Sequence, residues 1–259
     1  MKNKIKFLGF IAVMAIVFSM AACDDGDNNN DNNDNNNNNN NNNGETGPRE
    51  VLDTTHSYNA NGELTSYSEY EYDSKGNATK SSYYNASGEL TSYSEYEYDS
   101  QGNNTKSRSY NANGELIGHQ EYEYDSKGNR TKTSSYDRNG EFASYTESEY
   151  DSKGNQTKWS TYNANGGLTG YYEYEYDSNG NQTKSSNYNA SGVLSNYSEY
   201  EYDSKGNRTK TSSYDRNGKF GGYTEYEYNS NGNQTKSSNY HVNGELYSYT
   251  IYKYKTITL

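Results

Sequence analysis

The sequence predicts an all-β chain: 26-residue tandem repeats forming an extended, curled antiparallel β-meander or spiral strip of about sixteen strands. Three observations carry this expectation. Asp73, Asp99, Asp125, Asp151, Asp177 and Asp203 recur every 26 residues, and Asn229 takes the next place. Each repeat holds two segments of the form Asp/Asn-x-x-Gly, at 73–76 and 85–88 in the first clear copy, with His241 in the first place of the last one. After residue 22 no apolar pattern of period 3.6 is found, and the single Pro, Pro48, falls outside the expected strands, as a ladder requires.

The elements follow in order. Residues 1–22 carry Lys2, Lys4 and Lys6 ahead of an apolar run from Phe7 to Phe18, then small residues up to Cys23. That layout predicts a secretory signal, too short and too early for a spanning helix. The stretch Met20-Ala21-Ala22-Cys23 resembles a bacterial lipobox, which implies that the Cys23 thiol is acylated and becomes the new N-terminus. Cys23 is the sole cysteine, so outside a lipobox it would be a free thiol in a secreted protein. Residues 23–50 open with an Asn/Asp-rich run that holds nothing to bury, and they are expected to be a disordered tether. The acidic residues after Cys23 resemble a surface-export signal. Residues 51–259 form the repeat domain.

Without residues 1–22 the chain has 20 basic and 35 acidic residues, a net charge of −15. That balance argues against nucleic acid and against anionic headgroups as partners, leaving a lipid on Cys23 as the route to the membrane.

Within a repeat, Asp or Asn at the first turn position accepts from its own backbone two residues on, and Gly at the fourth takes positive φ without a Cβ clash. The turn glycines from Gly62 to Gly244 number fifteen, hence sixteen strands of roughly 8 to 10 residues. An open strip of that many strands would run about 75 Å. Simple alternation across the turn at Gly102 sets Tyr98 opposite Asn104 and Tyr96 opposite Lys106. One face then carries Leu90, Tyr96, Tyr98, Lys106 and Tyr110. The other carries Thr91, Tyr93, Glu95, Glu97, Thr105, Ser107 and Ser109.

Leu and Phe supply one position per repeat, too few for a conventional core, so Tyr is expected to substitute. The tyrosines of the acidic face are less needed for packing and stand as candidate ligand-binding residues: Tyr93, Tyr145, Tyr171, Tyr197 and Tyr223. Trp159, the only Trp, occupies the Ser107 slot of that face and could stack on a sugar ring beside Tyr145 and Tyr171.

At Tyr-Glu-Tyr-Asp-Ser-Lys-Gly-Asn and Tyr-Asp-Arg-Asn-Gly the text resembles the YD repeats of RHS-type proteins, over residues 51 to 254. The resemblance implies a β-strip that curls or spirals, and repeats described as carbohydrate-associated. In large members such strips form a shell around a toxin. This chain is expected to be too short for a closed shell, and that role is not carried over.

No catalytic constellation emerges. His56, His119 and His241 lie at unrelated positions, and the Glu95/Glu97 pair recurs in nearly every repeat, whereas a catalytic pair usually occurs once. Each Asp turn offers one carboxylate at most, too few for calcium. Asn-x-Thr from Asn77 to Asn233 is read as turn and strand chemistry and not as a glycosylation signal. No cofactor or metal is expected. The reading is a lipid-anchored, non-enzymatic interaction or adhesion protein at the outer membrane or cell surface. Its partner would be a host or neighbour-cell protein. The alternatives are a carbohydrate- or cell-wall-binding module, and a structural spacer or antigenic coat. Oligomeric state is left open.

Overall fold

The computed structural model describes residues 48–258. The signal segment, Cys23 and all but the end of the Asn-rich tether lie outside the described residues. Sixteen antiparallel strands follow one another along the chain. They are β1 (Pro48–Asn59), β2 (Leu64–Tyr72), β3 (Ala78–Asn85), β4 (Leu90–Tyr98), β5 (Asn104–Asn111), β6 (Leu116–Tyr124), β7 (Arg130–Asp137) and β8 (Phe142–Tyr150). The second half comprises β9 (Gln156–Asn163), β10 (Leu168–Tyr176), β11 (Gln182–Asn189), β12 (Leu194–Tyr202), β13 (Arg208–Asp215), β14 (Phe220–Tyr228), β15 (Gln234–Tyr240) and β16 (Leu246–Thr258).

All fifteen expected turns form. Gly76 N–H donates to Asp73 O at 3.1 Å, and Asp73 N–H donates to Asn77 O at 2.9 Å. Asp73 Oδ1 accepts from the N–H of Lys75 at 2.8 Å and of Asn77 at 2.9 Å, while Asn77 Nδ2 donates to Asp73 Oδ2 at 3.0 Å. Gly76 at φ 81° closes the turn where a Cβ would be strained. The side chain of the Asn in six of the seven Asn-x-Thr triplets, Asn77 to Asn207, thus braces its own turn.

The strip does not stay open. β1 and β16 pair from Pro48 opposite Thr258 to Asn59 opposite Ser248, and the sheet closes into a barrel. Closure removes the two edges that an open strip would expose to other chains. It also corrects the expected open strip, since sixteen strands are enough to close on themselves, and β1 includes Pro48, Arg49 and Glu50 from the stretch expected as tether. A proline as first residue of a strand costs no interior ladder bond. Lys255 Nζ lies 2.9 Å from Asp53 Oδ1 across the seam, and Asn233 Nδ2 donates to Glu50 Oε2 at 2.7 Å.

The register also sets the barrel's size. Glu69 lies opposite Ser82, and Ser82 lies opposite Tyr93, the counterpart of Tyr67 one repeat later. Each two-strand unit therefore slips two residues, a shear of about 16 over the full circle. Shear equal to strand number is the relation that gives strands a tilt of about 36°. At about 4.8 Å between strands, the wall is about 30 Å across. Among the described residues, each strand touches only its two neighbours, so the wall encloses a lumen and not a packed core.

A β-bulge beside every turn overturns the expected faces. Tyr98 does lie opposite Asn104, but the pairing then skips Thr105, so Glu97 meets Lys106 and Tyr96 meets Ser107. A second bulge skips Ile117 between Leu116, opposite Tyr110, and Gly118, opposite Ser109. One skipped residue exchanges faces for everything beyond it. Leu90, Lys106 and Tyr110 therefore join Tyr93, Glu95 and Glu97, while Ser107 and Ser109 join Tyr96 and Tyr98. The Thr at a bulge donates back across the pair, as Thr91 Oγ1 does to Tyr83 O at 3.0 Å.

Because each unit touches only its neighbours, excising residues 99–124 should leave a smaller closed barrel with unchanged far-UV circular dichroism. Deleting residues 246–258 should instead open the seam and produce aggregates in size-exclusion chromatography. At a single turn, Asp125→Asn should leave the melting temperature near wild type, as Asn229 fills the same place naturally, whereas Asp125→Ala should lower it. The Asn129 amide, with backbone N–H groups, holds the Asp125 carboxyl below its ordinary range. Its contribution to stability is complete above the unfolded carboxylate range and lost as pH falls through the lowered value.

Candidate functional site

The two faces of the wall have different chemistry. Tyr96, Tyr98, Ser94, Ser107 and Ser109 belong to the face turned to the lumen. Tyr174 on β10 interacts electrostatically with Tyr150 on β8 and Tyr200 on β12, two strands away on either side. Such convergence happens on the concave side of a curved sheet. Burial is also the leading cause that pushes Tyr98, Tyr176 and Tyr254 up to about 12, and Tyr72 and Tyr174 up further. The opposite face carries the solvated charges: the side chains of Glu71, Glu123 and Glu201 are 65–69% exposed.

At mid-height every luminal residue is uncharged. Reading round the wall from Tyr96, the partners are Ser107, Gln120, Ser135 and Ser144 on successive strands, all hydroxyl or amide groups. The hydroxyls form short networks: Ser81 Oγ to Tyr96 Oη at 2.8 Å, Ser107 Oγ to Tyr122 Oη at 2.7 Å. Lower down, a tyrosine hydroxyl donates to the backbone carbonyl twenty residues earlier, beside each bulge on the neighbouring strand. Tyr98 reaches Ala78 O at 2.8 Å, Tyr176 reaches Gln156 O at 2.7 Å, and Tyr254 reaches Gln234 O at 2.8 Å. From that side two guanidinium groups reach rings of the Tyr96 column, Arg130 over Tyr122 at 4.3 Å and Arg208 over Tyr200 at 4.5 Å.

The five candidate tyrosines all sit on the outer face, each held between two partners. Tyr93 stacks on Tyr110 at 4.7 Å with Lys80 over its ring at 4.7 Å. Tyr171 stacks on Tyr188 at 4.9 Å under Lys158 at 4.5 Å, and Tyr197 on Tyr214 at 4.8 Å under Lys184 at 4.4 Å. Tyr145 and Tyr223 have the same arrangement, with Tyr162 and Lys132, and with Tyr240 and Lys210. The stacked partner lies on one neighbouring strand and the lysine comes from the other, so hydroxyls and ring edges are what these residues offer to solvent.

Trp159 is placed differently from the expectation. The bulge turns the Ser107 slot inward, so Trp159 does not share a face with Tyr145 and Tyr171. It lies in register between Ser148 and Tyr172, with its ring 5.5 Å from that of Tyr172. Tyr172 in turn stacks on Tyr174 at 6.4 Å and 10°. Sequence reasoning overlooked Ser148, Tyr172 and Tyr174 as members of one group. A column-by-column comparison of the repeats holds the signal, since Ser148 and Tyr172 both break their columns.

His119 stacks on Tyr136 at 4.5 Å in the outer ring, and burial holds it below its ordinary pKa. Among the described residues no three His, Cys, Asp or Glu side chains converge on a point. The turn carboxylates are committed: Asp177 Oδ1 accepts two backbone N–H groups at 2.9 Å, and Oδ2 accepts the Asn181 amide at 2.9 Å.

No protein-family model matches this sequence. No curated protein matches it either. Among solved structures, a porin-like protein from Bacteroides uniformis superposes with a TM-score of 0.52 at 13% identity, over 79% of this chain and 96% of that one. At that identity the likeness concerns the fold alone. The TcdB2-TccC3 complex aligns over 78% of this chain and 14% of that chain at 13% identity, with a TM-score of 0.34. A Bacteroides fragilis protein of unknown function gives a TM-score of 0.24 at 13% identity, over 54% and 90% of the two chains. Neither of these two carries weight.

The luminal tyrosines make alkaline behaviour predictable. A folded pKa of about 12 against an ordinary value of 10 means stability is intact below pH 10 and lost as pH rises toward 12. Absorbance at 295 nm should show one tyrosine class titrating near pH 10 and a second only together with unfolding. Tyr98→Phe, which removes the hydroxyl from Ala78 O, should cost about 1 kcal/mol in urea unfolding.

Proposed function

We propose that this is an exported, non-enzymatic binding barrel held at the bacterial surface by a lipid on Cys23, with a ligand of carbohydrate class taken up in its lumen. The observation that carries the ligand class is the mid-height of the lumen, where the wall positions are hydroxyls, amides and aromatic rings, and charge enters only as two guanidinium groups engaged on tyrosine rings. Such a lining pairs with a neutral, hydroxyl-rich solute around most of its circumference. Carbohydrate association is also what the YD-repeat resemblance implies. Sixteen-stranded barrels are wide enough to leave an aqueous interior.

The porin-like fold does not make this a pore. A membrane barrel needs an outward apolar band about 25 Å tall, and each Lys or Arg at the bilayer midplane costs about 2–4 kcal/mol. Here Glu95, Glu97, Lys106 and their counterparts occupy the middle of the outer wall in repeat after repeat. The barrel stands in water, and attachment is left to the N-terminal lipid.

Interaction through the outside is the second reading, favoured by the eight stacked ring pairs that recur around the wall, six of them under a lysine, which would support weak multivalent contacts with a host or neighbour-cell protein. Salt separates the two readings. Retention on neutral glycan columns should be unchanged between 50 mM and 500 mM salt, whereas adhesion through the charged outer wall should weaken severalfold. Absence of retention on every neutral glycan tested removes the luminal reading. Cys23→Ser should move the protein from the membrane to the soluble fraction, and the barrel should give no conductance in planar bilayers.

A further inference from the structure

The repeats are close copies, so a departure confined to one place on the luminal wall asks for a reason. At the Tyr96 position every other repeat from Tyr70 to Tyr252 has Tyr, and Ser148 alone departs. At the Ser107 position the other repeats from Ser81 to Ser237 have Ser or Thr, and Trp159 alone departs. At the Ser94 position Tyr172 replaces a residue that is Ser or Thr elsewhere, Gln120 being the other exception.

These three substitutions sit side by side. Ser148 on β8 is opposite Trp159 on β9, and Trp159 is opposite Tyr172 on β10. Exchange of Tyr and Ser across one registered pair would conserve volume by itself if Trp159 only filled the gap at 148. Tyr172 is then unexplained: it adds a ring where nothing was lost. The outcome is a shelf of three rings, Trp159, Tyr172 and Tyr174, beside a low spot at Ser148. Gln156 Nε2 donates to Ser148 Oγ at 2.7 Å at that spot, leaving the Gln156 carbonyl oxygen and the hydroxyls of Thr146 and Thr161 nearby in register. The residues of the shelf itself carry no charge, and the Arg130 guanidinium is engaged on the Tyr122 ring at 4.3 Å.

We propose that Trp159, Tyr172 and Tyr174, with Ser148 and Gln156, form the recognition point of the lumen, stacking one face of a neutral pyranose ring and hydrogen-bonding its hydroxyls. Flat indole and phenol faces cover the C–H face of a sugar, and the adjacent amide and hydroxyls satisfy its polar edge. This inference rests on the luminal carbohydrate reading and narrows it to one arc of the wall.

Trp159 is the only tryptophan in the chain, so its emission reports this arc alone. The full chain is titrated with neutral oligosaccharides of glucose, mannose and N-acetylglucosamine, and with an oligouronate as the charged control. A saturable change in Trp emission with a neutral sugar, and none with the uronate, is expected. By calorimetry, Trp159→Ala and Tyr172→Ala should weaken that sugar at least tenfold, and Trp159→Phe should retain part of the affinity. Glu123→Gln, on the outer wall, should stay within twofold of wild type. Binding with unchanged emission and undiminished affinity in Trp159→Ala overturns this site and leaves the luminal reading standing. Binding of no sugar overturns both.

Discussion

A ladder between the first strand and the last gives this protein an inside. Without the pairing of β1 with β16, the sixteen strands would be a sheet wetted on both faces, with two unpaired edges. Closure turns one face into a lining and fixes its curvature. The uncharged lining, the raised tyrosines and the convergence of Tyr150, Tyr174 and Tyr200 all depend on it. The extra length of β1 and β16 lies where that join is made.

Tyrosine carries two separate loads in the wall. On the outside, stacked pairs such as Tyr93 with Tyr110 bridge neighbouring strands, and a lysine caps six of the eight from the other side. Cross-strand aromatic pairs contribute roughly 0.2–1 kcal/mol each, and a cation over an exposed ring about 0.5–1. Ion pairs such as Lys80 with Glu71 at 3.9 Å are exposed and add little. Inside, the load is polar: a luminal hydroxyl satisfies a backbone carbonyl where a bulge interrupts the ladder. Val51 is the only buried apolar residue among those described, so stability comes from repeated neighbour contacts and not from a core.

The fold is shared with a porin-like protein, while the outer wall here is studded with Glu and Lys. Fold is set by strand number and shear, whereas environment is set by what the outward positions carry. The same backbone geometry can therefore carry an apolar or a charged outer wall.

The period, the two turns per repeat, the number of strands and the all-β class were legible in the amino-acid sequence, because Asp/Asn and Gly act locally: one accepts its own backbone's N–H groups, the other accepts positive φ. The breaks at Ser148, Trp159 and Tyr172 were legible too, as columns out of step. Their meaning was not. A bulge changes side-chain parity without changing composition, so Lys106 and Tyr110 could not be assigned to Glu97's face, nor Trp159 to the lumen, from alternation alone. Closure was equally hidden, since pairing Pro48 with Thr258 is a contact across 210 residues that no local preference encodes. The sequence by itself determined the unit. The tertiary structure decided which side of that unit is enclosed, because inside and outside exist only once the accumulated slip of sixteen strands brings the last against the first.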